Sequence, residues 1–195
     1  MKIKTLFQGI LSGILIVIGC TVYLSCENKY VGAVLFSVAL LSICSLNLPL
    51  FTGSVGFVKS LNDIINLLLC LAGNTVGCAV AGLSVGVAYP EVSAAALASS
   101  ALKFGSHPVA AFAASVMCGI LMYTAVYIYR NNEGISRYIG ILICVPTFIL
   151  CRFEHSIANL GYLFIAKAGI TNLLNLPLFI IGNAAGSLLI RFSKT

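Results

Sequence analysis

Charge is what this sequence has least of. Its 195 residues include eleven Lys and Arg and only five Asp and Glu, 8% in all, where a soluble domain carries roughly 25%. Hydrophobic residues make up 60% of the chain and the mean hydropathy is +1.08. A soluble domain of this size leaves about a third of its unfolded-chain surface wet, and that surface needs polar side chains that are missing here. The shortage excludes a soluble fold and points to an integral membrane protein. It also excludes an extramembrane catalytic domain and a nucleic-acid-binding face, because the basic residues stand singly and never cluster. Histidine occurs twice, and no two cysteines have Cys-x-x-Cys spacing, so a zinc or redox centre lacks ligands and no metal or cofactor is expected. Cys20, Cys44, Cys70, Cys78, Cys118, Cys144 and Cys151 fall inside apolar runs. They read as small buried hydrophobes rather than a disulfide framework.

What is present in quantity is apolar runs long enough to cross a bilayer, which takes about 20 residues per helix. Six occur, roughly Leu6 to Cys26, Val31 to Val58, Ile64 to Ala88, Pro108 to Tyr129, Tyr138 to Ala166 and Leu176 to Ile190. They predict an all-α membrane fold as a single transmembrane domain over residues 1–195. With both termini cytoplasmic, Lys2, Lys4, Lys59, Arg130, Arg137, Arg191 and Lys194 lie inside and Lys29, Lys103 and Lys167 outside, in line with the positive-inside rule. Lys2 and Lys4 before an apolar run, with Val17-Ile18-Gly19-Cys20, also pattern as a signal peptide with a lipoprotein cleavage box. Cleavage would leave five spans. More membrane rather than a soluble domain follows, which favours a retained first span.

Two spans are overlong and interrupted by polar residues, the second at Leu48 to Ser54 and the fifth at Phe153 to Asn159. Unsatisfied backbone at membrane depth costs several kcal/mol, so both breaks are expected to face protein or a water-lined cavity. Asn66-x6-Gly73-Asn74-x2-Gly77 in span three recurs as Asn175-x6-Gly182-Asn183-x2-Gly186 in span six, 109 residues later. Three spans per half make the second half enter the membrane inverted, giving two repeats (about 5–88 and 108–192) with a site near the midplane. The glycines read as small residues for close helix packing, with Asn74 and Asn183 bonding across helices.

Leu50-Phe51-Thr52-Gly53, Gly73-Asn74, Phe153-Glu154-His155-Ser156-Ile157-Ala158-Asn159 and Asn175-Leu176-Pro177 with Gly182-Asn183 together resemble the formate/nitrite transporter family, in this order along essentially the whole chain. The resemblance implies an aquaporin-like protomer of a homopentamer in a prokaryotic cytoplasmic membrane, passing a small monovalent anion with a proton. It makes His155 the central pore histidine and Thr52 its partner, Phe36 and Phe148 the outer constriction, and Leu40 and Leu50 the inner one with Phe51 beside it. Asn159 belongs to the same motif as His155, and Lys103 matches a vestibule lysine. Two positions depart from the family pattern: Gly119 stands where many members have an asparagine, and Arg152 replaces a small residue.

Taken on its own, His155 is an imidazole within a span, and an intramembrane ionisable group marks function by default. Apolar surroundings are expected to keep it neutral and able to donate a hydrogen bond. Glu154, its neighbour on the chain, is expected to face another helix or a neighbouring protomer. Thr52 reads either as a turn cap or as a pore group, Lys103 as a vestibule cation or a solvated interfacial lysine. Arg152 should pair or snorkel, towards a cytoplasmic vestibule, a neighbour's Glu154 or a set of carbonyls. A bare anion is penalised in an apolar neck where the neutral acid is not. Two other classes remain: a membrane-embedded hydrolase using Ser156 beside His155, and a subunit that only packs in a larger complex.

Overall fold

The computed structural model describes residues 2–168, 173 and 175–193; Lys194 lies outside them. The described residues form helices α1 (Lys2–Ser25), α2 (Lys29–Ser45), α3 (Phe51–Ser54), α4 (Leu61–Ala88), α5 (Pro90–Phe104), α6 (Pro108–Asn131), α7 (Ser136–Leu150), α8 (Ser156–Ile165) and α9 (Leu176–Phe192), with a 3₁₀ turn at Val55–Phe57. Helices α1, α4 and α6 are long and apolar enough to span a bilayer unaided; α2, α7, α8 and α9 are shorter apolar helices.

Local chemistry explains most boundaries. The Asn28 side chain accepts from the Tyr30 and Val31 amides to start α2, and Ser60 and Asp63 close a capping box on α4. Proline at the first turn opens α5, α6 and α9, where its missing N–H costs nothing. Helix α5 is not among the expected spans; it fills the connection between the third and fourth.

The stretch Val31 to Val58 is divided. Helix α2 stops at Ser45, Asn47 takes a left-handed φ of 52°, and Pro49 precludes helix for the residue before it. Tyr138 to Ala166 is divided in the same manner: α7 ends at Leu150 and Arg152 has φ 56°. Both ends close as the same cap, with Leu48 N donating to Ile43 O and Phe153 N to Phe148 O, each at 2.9 Å.

Two helix pairs pack with their backbones almost touching. A Cβ on Gly77 of α4 would collide with the Ile10 carbonyl of α1, and one on Gly186 of α9 with the Val116 carbonyl of α6. Gly13 of α1 meets the Asn74 carbonyl just as Gly119 of α6 meets that of Asn183. The first-half residues Ile10 and Gly13 thus map onto Val116 and Gly119 at an offset of 106, and Gly77 maps onto Gly186 at 109. Of the cysteines expected to be buried, Cys20, Cys70, Cys78, Cys118 and Cys144 are; Cys151 is exposed because it sits in the turn that ends α7, and Cys44 is half-buried.

Candidate functional site

Two cavities enter the bundle from opposite ends. The first, about 550 Å³, is lined by Thr5 and Gln8 at the start of α1, with Leu40, Asn47, Leu50, Tyr129 and Arg130. The second, about 400 Å³, is lined by Tyr23 near the end of α1, with Lys103, Phe148, Arg152, Glu154, His155, Asn159 and Tyr162. Fifteen helical steps from Gln8 to Tyr23 set these ends about 22 Å apart.

Between the cavities lies a neck of buried side chains. Leu40 and Leu50 border the first cavity and Phe148 and His155 the second. Phe36 meets Phe148 edge to face with ring centroids 5.9 Å apart, and Phe148 stacks on the His155 ring at 5.5 Å. Thr52 Oγ1 lies 2.9 Å from His155 Nε2, with both residues buried. The Ala158 amide donates to His155 Nδ1 at 3.1 Å, so the imidazole also caps α8. With Nδ1 accepting, the ring proton of the neutral tautomer sits on Nε2, and Nε2–H donates to Thr52 Oγ1. The threonine hydroxyl hydrogen is then left for another acceptor. Phe51 is buried and lines neither cavity.

Two asparagines hold the loops that carry these groups. Asn74 Oδ1 accepts from the Phe51 amide at 2.9 Å while its Nδ2 donates to Gly9 O at 2.9 Å. Asn183 Oδ1 accepts from the Ser156 amide at 2.8 Å while its Nδ2 donates to Ser115 O and Glu154 O, both at 2.8 Å. Each asparagine ties one loop to one close-packed helix pair, and the loops bear Thr52 and His155 one apiece.

The acidic neighbour of His155 points away from the ring. Glu154 Oε2 accepts from Lys103 Nζ at 2.9 Å and from Asn159 Nδ2 at 2.7 Å, within one protomer and across to α5. Arg152 is exposed at the corner after α7. It lines the Lys103 cavity, which opens away from the start of α1, and not the cavity at the opposite end; its left-handed φ aims the residue out of the helix. Gly119 lines neither cavity: it lies in the α6–α9 crossing, where any side chain would strike the Asn183 carbonyl. Ser156 Oγ is buried with no hydrogen-bond partner among the described residues. Both ring nitrogens of His155 are engaged elsewhere, so no nucleophile–base pair forms between them.

Sequence reasoning missed the Lys103–Glu154–Asn159 cluster and the lining residues Tyr23 and Tyr162. The sequence separation of 51 between Lys103 and Glu154 leaves no local signal for their pairing. For Asn74 and Asn183 a signal exists, the repeat itself.

A bundle of apolar helices assembled in this way is a multi-pass membrane protein. The family model described as formate/nitrite transporter matches residues 2–192, and the chain belongs to that family. Among solved structures, a pentameric formate channel with formate bound superposes with a TM-score of 0.87 at 20% identity, over 99% of this chain and 95% of that one. A channel described as an FNT family ion channel gives 0.79 at 19% identity, over 100% and 89%. No curated protein matches the sequence. At such identity these structures establish the fold, which is that of membrane channels.

Proposed function

We propose that this chain is the protomer of a homopentameric channel that passes small monovalent weak acids in their neutral form through the neck between the two cavities. The observation that carries the reading is the buried contact of Thr52 with His155, mounted on separate loops, with Phe36 and Phe148 packed on one side and Leu40 and Leu50 on the other. An anion reaching this neck from water is penalised by desolvation, and its protonated form is not. The anion is drawn into the charged cavity, takes up a proton there, crosses as the acid past the Thr52 hydroxyl and the imidazole, and releases the proton beyond.

The matched roles of Asn74 and Asn183, of Gly13 and Gly119, and of the caps at Asn47 and Arg152 support two inverted three-span repeats, with the second and fifth spans broken. Within that reading the chain is one transmembrane domain in a prokaryotic cytoplasmic membrane. Both termini are cytoplasmic, on the side where Lys59, Arg130 and Arg191 gather: Arg191 donates to Val58 O, and Arg130 lies 4.2 Å over the Phe57 ring. Formate, nitrite, hydrosulfide, acetate and lactate all fit the class.

Purified protein in liposomes tests it. Uptake across that set, at two external pH values, is expected to depend on His155, to rise as external pH falls and to leave the solute chemically unchanged. Flux that scales with membrane potential and ignores the pH gradient would establish a bare-anion pore instead. Conversion of the solute would favour a hydrolase, and silence with every solute a packing subunit.

A further inference from the structure

The Lys103 cavity holds two cations, and the structure treats them differently. Lys103 is bound to the buried Glu154, whose Oε2 also accepts from Asn159. A cation so paired exerts little net field on a third group. Arg152 lines the same cavity, is exposed, and forms no ion pair among the described residues. Its backbone is held at φ 56°, a conformation that disfavours any Cβ and that glycine adopts freely. The matching corner in the first half carries Asn47, a residue type that tolerates this geometry. An arginine gains nothing from the turn, so the part of it with something to contribute is the guanidinium. Lys103 and Arg152 set against Glu154 leave the cavity one net positive charge, and that charge resides on Arg152.

We propose that Arg152, rather than Lys103, is the anion-docking group of this cavity, and that the ligand class it selects is a short monocarboxylate such as formate. A guanidinium presents parallel N–H groups that match both oxygens of a carboxylate, whereas a spherical anion such as hydrosulfide or chloride gains the point charge alone. The cavity, about 400 Å³, accommodates such an anion with some of its water, and Phe148 and His155 stand on the same wall. The inference rests on the channel reading, and it adds a preference between anions that the neck does not supply.

The test is concentration-dependent uptake by proteoliposomes containing wild-type protein, R152G, R152K and, as control, K167G. Lys167 also combines a cation with a left-handed φ, of 51°, and lines neither cavity. R152G relieves the backbone and is expected to fold. It should raise the half-saturating formate concentration about fivefold, as for loss of one exposed charge-assisted contact, and change that for hydrosulfide less. R152K should recover part of the loss for formate, and K167G should match wild type. Wild-type uptake at low formate should also slow as ionic strength rises, an arm that needs no variant. Half-saturation within twofold of wild type in R152G, or salt-independent uptake, overturns the docking role. Equal effects on formate and hydrosulfide, or full recovery in R152K, overturn the carboxylate preference. Wild-type protein that moves no anion would instead refute the channel reading.

Discussion

At the scale of single residues, the neck is defined by a donor chain that starts in the backbone. The Ala158 amide fixes the proton of His155 on Nε2, and that proton is spent on Thr52. Thr52→Val keeps the shape and removes the acceptor, leaving a buried N–H unpaired. It should cost about 1–3 kcal/mol, read as a lower melting temperature in detergent, and slow formate uptake; Thr52→Ser should retain both. Glu154 is the second sensitive residue. Glu154→Leu strips both Lys103 and Asn159 of a shared acceptor, and leaving donors unpaired in this partly buried cluster should cost about 1–3 kcal/mol. The double variant with Lys103→Met should regain part of that loss, measured by the same unfolding assay.

At the scale of elements, the close-packed pairs α1–α4 and α6–α9 act as two fixed posts, each with an asparagine that pins a loop. Gly119→Asn, which installs the residue usual in the resembling family, should push α6 from α9 instead of placing an amide in the pore. Over-packing of this kind costs about 1–3 kcal/mol or more, visible as a lower melting temperature and poor recovery of assembled protein. Asn183→Leu leaves the Ser156 amide and the Glu154 and Ser115 carbonyls without their partner. It should reduce uptake more than Asn74→Leu, since its loop carries the imidazole; parallel flux assays decide this. Elements were unequally legible from sequence. The long apolar helices announce themselves by hydropathy, and Pro49 marks the end of α2 by its missing N–H. The end of α7 has no proline, and Pro146 lies inside the helix, so the corner at Arg152 depends on a left-handed cap that single residues do not advertise. Helix α5 escaped because fifteen mildly apolar residues are too few to suggest a span.

At the scale of the whole molecule, what composition revealed was the solvent: so little charge requires lipid. The site was legible only where the repeat or a family motif marked it, as for Thr52 with His155, and the contact of Lys103 with Glu154 was not. Lys103 meets Glu154, and Thr52 meets His155 from 103 residues away, because the fold threads two separate loops to one level. Gly119 illustrates the limit. The family resemblance pairs it with an asparagine position, but its environment is set by Asn183, which no local motif around Gly119 encodes. If protons accompany the solute, a pH gradient that is acid outside should accumulate formate in the lumen without an applied voltage, and a protonophore should abolish the accumulation; potentiometric and pH-jump uptake in one preparation checks this.

The imidazole in the neck is also the cap of α8, one nitrogen paired with Thr52 and the other with the scaffold. A ring protonated on both nitrogens has no lone pair left for the Ala158 amide, so a fully charged histidine must let go of the first turn of its own helix. Within the proposed channel, doubly protonating this imidazole therefore costs the cap of α8 while leaving the Nε2–H donor to Thr52 in place.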